Sequence, residues 1–392
     1  ILVLIYLLAT FLIAFLIGYD KNQFQILLIL ALNQSLVAFI LYVRSNLAGL
    51  HLFMQDSLVS VLDRVLLIII CSVLLWGGVY DTSFQIEWFV YAQTFSYLIT
   101  LCVCFFMVFR KTSNFTFKWN NAFAIVILKK SLPYALLIFL MTIYYRIDSI
   151  MLERMLNDNS TQAGIYAQAY RFFEASNMFA YLFAALLLPI FSRMLKLGES
   201  VHDLVYFAFK TLMGFGFIVT VFCVFNSYDI MSFRYHEHIV QSSEIFIVLM
   251  ICFLCVSSTY IYGTLLTANG NLFYLNIIAF LGVVLNITLN IILIPKYQAI
   301  GSAFASLITQ FLTGFFQIIL CCYIFRLALV KTCLRLLLFL VGITLCAYYL
   351  HLNQYSLYYS FVLYCVFSLI WMFVTRIVIF SDFKLLISSK IK

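Results

Sequence analysis

Run after run of about 20 residues almost free of charge recurs along this chain, and a run of that length crosses the ~30 Å hydrocarbon core of a bilayer as a helix. Inside lipid every backbone N–H and C=O must be satisfied within the protein, so such runs fold as helices or close into a barrel. A barrel strand alternates apolar and polar residues; stretches such as IVLMICFLCVSS do not. Twelve spans are expected: 1–17, 24–43, 59–77, 87–109, 132–152, 164–190, 204–225, 242–263, 272–294, 299–323, 332–350 and 356–378. Only 10% of the 392 residues are charged, against about 25% in soluble domains. The fold class implied is an all-α polytopic membrane protein with about 12 transmembrane helices. The longest connections, 110–131 and 226–241, are too short for a further domain.

The basic residues orient the chain. With the N-terminus inside, 17 of the 23 Lys and Arg fall in inner segments, Lys210 among them. Four (Lys21, Arg154, Arg234 and Lys296) fall in outer ones, and Arg146 and Arg171 lie within spans. This segregation is the positive-inside pattern, so the net charge of +8 marks cytoplasmic loops and not nucleic-acid binding. Both termini of the chain are expected in the cytoplasm. Residues 44–58 and 110–131 are basic and amphipathic, suited to lying on an anionic leaflet.

Several signals carry no chemistry. Cys252 and Cys255 form a CxxC in the middle of a span, where apolar filler explains them. His236-Glu237-His238 offers two histidines with no further ligand, so no metal site is expected. Asp63-Arg64 reads as a local ion pair, and Asn159-Ser160-Thr161 matches a glycosylation sequon. There is no P-loop, GxSxG or HExxH, so no cofactor and no enzyme activity are expected. Asn276, Asn286 and Asn290, with Gln310 and Gln317, either line a cavity or hydrogen-bond between helices.

Ionisable residues inside spans are costly and mark function by default. The fifth and sixth spans form an antiparallel hairpin with a short outer loop. It brings Arg146, Asp148, Arg171 and Glu174 to similar depth in the outer half of the membrane. Arg171 and Glu174, at i and i+3, share a face. Two readings stand: a self-satisfied cluster that glues the two helices, or a polar patch that meets an anionic group. Arg suits phosphate because its fork donates two hydrogen bonds at once. Tyr144, Tyr145, Tyr166, Gln168 and Tyr170 flank the charges and suit sugars and headgroups. Arg146, Arg171, Tyr145 and Tyr170 are thus the substrate-binding candidates. Asp148 and Glu174 are the candidates to bind a proton or Na⁺.

SLPYALLIFLMTIYYRIDSIMLERML followed by AGIYAQAYRFFEASNMFAYLFAALLLPIFSRML resembles the bacterial polysaccharide transporter family. That family contains the O-antigen flippases of the multidrug/oligosaccharidyl-lipid/polysaccharide exporter superfamily. Pro133, Arg146-Ile147-Asp148, Met151-Leu152, Gly164-Ile165-Tyr166 and Ala169-Tyr170-Arg171 carry the likeness. LYVRSNLAGLHLFMQDSLVSVLDRVLLI is similar to the family's basic linker into its fifth helix. The resemblance spans residues 24–323.

It implies two helical lobes around a central cavity, plus two terminal helices. The lobes would be 1–128 and 129–323, with the terminal pair and a basic tail in 324–392. Fourteen helices are usual in the family, so the apolar start at Ile1 is expected to follow two absent helices. The implied activity moves an undecaprenyl-pyrophosphate-linked oligosaccharide from the inner to the outer leaflet of the bacterial cytoplasmic membrane by alternating access. Membrane lipids, a glycan polymerase and chain-length machinery are the implied partners. A multidrug antiporter of the same superfamily is the nearest rival, and it would place unpaired acids in the cavity, whereas here each acid is expected to have an Arg beside it. A membrane-embedded glycan polymerase or transferase would need a large outer loop or a catalytic constellation.

Overall fold

The structure is a computed structural model and describes residues 2–49, 52–77, 86–110, 121–156, 159–353 and 355–377. Residues 111–120, with Lys118 and nearly half of the 110–131 linker, lie outside the described residues, as does the basic tail from 378. Among those described there is no strand. The helices are α1 (Leu2–Ile17), α2 (Lys21–Gly49), α3 (Phe53–Trp76), α4 (Ile86–Phe109), α5 (Asn121–Met155), α6 (Asn159–Leu197), α7 (His202–Phe225), α8 (Ser227–Arg234), α9 (Ile239–Ala268), α10 (Leu272–Phe325), α11 (Val330–Leu352) and α12 (Leu357–Val374). Ten of them are long and apolar enough to cross a membrane, which makes this a multi-pass membrane protein.

The twelve expected spans all fall on helices, but two come from one element. α10 has 54 residues, ~81 Å if it were straight. It turns instead at Gln298, where φ is 55° and ψ −135°, just after Pro295 has removed a helical N–H. The two arms then run back along each other: a Cβ on Gly282 would lie 2.8 Å from Thr313 Cγ2. Ala299 N–H donates to Gln162 Oε1 (3.4 Å), which ties the turn to α6.

Other helices overrun their spans. α2 continues to Gly49, α3 starts at Phe53, and Arg44 meets Asp56 at 2.7 Å, so the described part of 44–58 belongs to two paired helices and not to a separate surface segment. The described part of the linker, 121–131, is the first third of α5. α8 is a short extra helix inside the expected 226–241 loop. α6 stops at Gly198, whose φ of +71° is open to glycine without strain; Glu199 N–H then bonds back to Met194 O at 2.9 Å, a Schellman closure.

The chain divides into two compact units, Ile1–Trp119 and Asn120–Lys392. In the first, α2, α3 and α4 pack around Leu36, Ile40, Val43, Val59, Tyr97 and Cys104. In the second, α6 to α12 enclose one large apolar core with Phe191, Phe246, Phe253 and Phe339 at its centre. α5 closes on α10 through Leu140, Tyr144, Ala279 and Val283. α11 and α12 pack on α7, where the Tyr364 hydroxyl donates to Ile218 O at 3.1 Å. Lys210, counted above with the inner loops, is buried within α7.

Candidate functional site: a buried carboxylate beside an exposed ion pair

All the charged candidates lie in the second unit, and the structure separates them. Arg146 and Asp148 are two residues apart on α5, so their side chains leave the helix about 200° apart. Arg146 points out of the unit and Asp148 into it.

On the outer side, Arg146 Nη2 meets Glu174 Oε1 of α6 at 3.1 Å, with side-chain exposures of 62% and 56%. Arg171 is also exposed and stands one turn before Glu174 on the same face; it forms no ion pair among the described residues. Of the four charges expected to cluster, Arg146 and Glu174 form the ion pair that joins α5 to α6. From the hairpin tip, Arg146 lies ~13 Å along α5 and Arg171 ~18 Å along α6. The Tyr170 hydroxyl donates to Tyr145 O at 3.1 Å and fixes the spacing of the two helices there. The rings of Tyr145 and Tyr170 pack on those of the buried Tyr144 (4.7 Å) and Tyr166 (5.7 Å), respectively.

On the inner side, Asp148 is 1% exposed. Its Oδ1 accepts from Asn290 Nδ2 at 2.7 Å. Its Oδ2 accepts from the Tyr166 hydroxyl at 3.1 Å and from the Ser306 hydroxyl. Asn290 Nδ2 also reaches Asn286 Oδ1 at 3.1 Å. Every hydrogen-bond partner of this carboxylate in the structure is neutral. The expectation that each acid has an Arg beside it thus holds for Glu174 and fails for Asp148. A charge that is buried and unpaired is expensive, so Asp148 is held either protonated or with a cation. One carboxylate among neutral amide and hydroxyl oxygens suits a proton or a hard monovalent ion better than a soft transition metal. Among the described residues no three His, Cys, Asp or Glu gather into a metal cluster.

The amide residues left open by the sequence take different roles. Asn276 Nδ2 donates to Pro133 O at 3.0 Å, a tie between α10 and α5. Asn286 and Asn290 belong to the Asp148 site. Ser306 was missed because a lone serine in an apolar run carries no signal of its own. Its signal was collective: Ser302, Ser306, Thr309, Gln310, Thr313 and Gln317 share an arc of about 100° on one helix. Asp63 and Arg64 form the expected local pair, at 3.6 Å.

The comparisons with known proteins agree with this architecture. A family model described as "Polysaccharide biosynthesis protein" matches residues 1–195. Among curated proteins, none matches the sequence. The structure is similar to "Lipid II flippase MurJ, inward closed conformation", with a TM-score of 0.72, 17% identity, and coverage of 95% of this chain and 80% of that one. It is also similar to a mutant of the Vibrio cholerae MATE transporter VcmN, with a TM-score of 0.62, 15% identity, and coverage of 83% and 75%. At these identities the likeness establishes the fold. Over residues 1–195 the chain is similar to that polysaccharide-biosynthesis family, and the fold it shares with these two transporters carries the likeness through the rest of the chain.

Proposed function

We propose that the protein flips an undecaprenyl-pyrophosphate-linked oligosaccharide, an O-antigen or capsular repeat unit, from the inner to the outer leaflet of the bacterial cytoplasmic membrane. Arg146 and Arg171 contact the pyrophosphate, and Tyr145 and Tyr170 frame it. The observation that carries this reading is the exposure of the two arginines beside a single acid, which leaves a net positive, hydrogen-bonding surface within spans. A pyrophosphate cannot enter hydrocarbon bare; fixed guanidinium groups in a hydrated path lower that barrier. The family match supports a glycan substrate, and the positive-inside bias supports cytoplasmic termini. Asp148 serves as the coupling site, which a proton or Na⁺ fills and leaves as the unit changes state. Glu174 tunes Arg146 and is released when substrate displaces it. A glycan polymerase and chain-length machinery would take over the product.

The second reading, a cation antiporter of the same superfamily, draws support from one finding: Asp148 has no cationic partner. It makes the opposite demand on the arginines, which would repel a cationic substrate.

Membrane abundance measured beside surface glycan tests the assignment in Arg146→Ala, Arg171→Ala and the double variant Arg146→Ala/Glu174→Ala. The expected result is normal abundance with no surface glycan in all three, because exposed ion pairs add little to stability. Loss of abundance in Arg146→Ala, with abundance and glycan both restored in the double variant, would show that the pair is structural glue.

A further inference from the structure

The two arms of α10 leave an open groove on the surface of the second unit, with a volume of about 430 Å³. It runs from Tyr274 to Leu285 on the first arm and from Leu312 to Tyr323 on the second, and Gly282 and Thr313 meet at its floor. Each stretch is ~16 Å of helix, half of the ~30 Å core of a bilayer. Ile277, Leu281, Phe316 and Ile319 line the groove and are exposed. On an element apolar enough to cross the membrane, such a groove opens to lipid. Its length is that of one leaflet.

One end of the groove carries polarity and charge. Tyr274 and Tyr323 close that end and are both exposed, as tyrosines are at a membrane surface. Arg326 stands one turn beyond Tyr323 and is exposed, and so is Lys331 five residues later. The backbone around Arg326 is pinned to α7 on both sides. His202 Nε2 meets Phe325 O at 2.8 Å, and Ala328 N–H donates to the Tyr206 hydroxyl at 2.8 Å. Leu327 between them is buried. These ties hold Arg326 at the groove mouth. Asn276 joins this end of α10 to Pro133 of α5, so the mouth lies at the opposite end of α5 from the hairpin tip near Arg146 and Arg171.

We propose that this groove binds an anionic phospholipid, with one acyl chain between the arms of α10 and the phosphate on Arg326, and with Lys331 adding charge. Lipid tails are as apolar as leucine, so an apolar lining by itself gives no attraction over the surrounding bilayer. Retention has to come from shape and from the headgroup. A guanidinium donates two parallel hydrogen bonds to a phosphate, and each cation near the surface adds to the attraction for anionic lipid. A groove one leaflet long suits an acyl chain and not the far longer undecaprenyl tail of the proposed substrate. The site stands apart from the arginine face on α5 and α6, and a lipid held there packs against both arms of α10 at once.

The test uses the purified full chain, stripped of lipid in detergent, and native mass spectrometry with palmitoyl-oleoyl phosphatidylglycerol, the matching phosphatidylethanolamine and undecaprenyl phosphate. Wild type should retain phosphatidylglycerol in preference to phosphatidylethanolamine. Arg326→Gln should weaken phosphatidylglycerol binding about fivefold and erase the preference. Ile319→Trp, which fills the groove, should weaken both lipids. Lys196→Gln, which removes an exposed charge near the end of α6, should change nothing. All three positions are exposed, so each variant should melt with wild type when lipid-free. Unchanged binding in Arg326→Gln or in Ile319→Trp would overturn the site. An equal loss in Lys196→Gln would reduce it to general attraction between charged surfaces. Tighter binding of undecaprenyl phosphate, with the same dependence on Arg326 and Ile319, would overturn the phospholipid assignment and give the groove to the substrate's tail.

Discussion

Asp148 and Arg146 stand two residues apart on one helix and live in different worlds. Asp148 is sealed inside the second unit, where Tyr166, Asn290 and Ser306 donate to it. Arg146 reaches outward to Glu174 with more than half of both side chains exposed. In a sequence, both read as a charge within a span. The fold gives them opposite energetics: the carboxylate is bound into the packing of three helices, whereas the guanidinium is free to exchange its partner. Removing the buried acid should therefore cost stability, whereas the exposed base can be altered at little cost.

The comparison breaks first at Asp148. Asp148→Leu strands the donors of Tyr166, Asn290 and Ser306, at about 1–3 kcal/mol each. We expect the protein to fall sharply in membrane abundance, as seen by immunoblotting or a fluorescent fusion. Asp148→Asn, which keeps volume and hydrogen bonding, should accumulate normally. Equal abundance of both variants would mean that Asp148 is less tightly held than the structure shows. A smaller effect is expected at the α9–α10 contact. Gly314→Val forces a side chain into Ser258 Oγ and Thr259 Oγ1, an overpacking worth about 1–3 kcal/mol, read as a lower unfolding temperature in detergent. Arg146→Ala should have the smallest effect on the same melt, about 0–1 kcal/mol. A shift there as large as that of Gly314→Val would erase the distinction between the two sites.

The apolar runs made the helices legible, because the bilayer leaves a chain no other way to satisfy its backbone. They also marked the break within α10: the expected spans 272–294 and 299–323 leave out Pro295 to Gln298, where the two arms turn. The charges at 146, 148, 171 and 174 were legible as a group, since i to i+3 spacing and a short hairpin bring them together. Which acid pairs with which base was not. Helical phase on α5 decides it, and the sequence offered Arg171 as the near neighbour of Glu174 while the structure uses Arg146 from across the hairpin. The polar lining of Asp148 was half visible. Asn286 and Asn290 stand out in an apolar run, but Ser302 and Ser306 are small and common, and only their shared helical face reveals them.

The claim that Asp148 couples and the arginines bind is tested most directly by flipping measured in proteoliposomes with a fluorescent lipid-linked oligosaccharide, with and without an imposed proton or Na⁺ gradient. Wild type should flip faster with the gradient. Asp148→Asn should flip at one rate whether or not the gradient is present, and Arg171→Ala should fail under both conditions. Gradient stimulation that survives in Asp148→Asn would contradict the account.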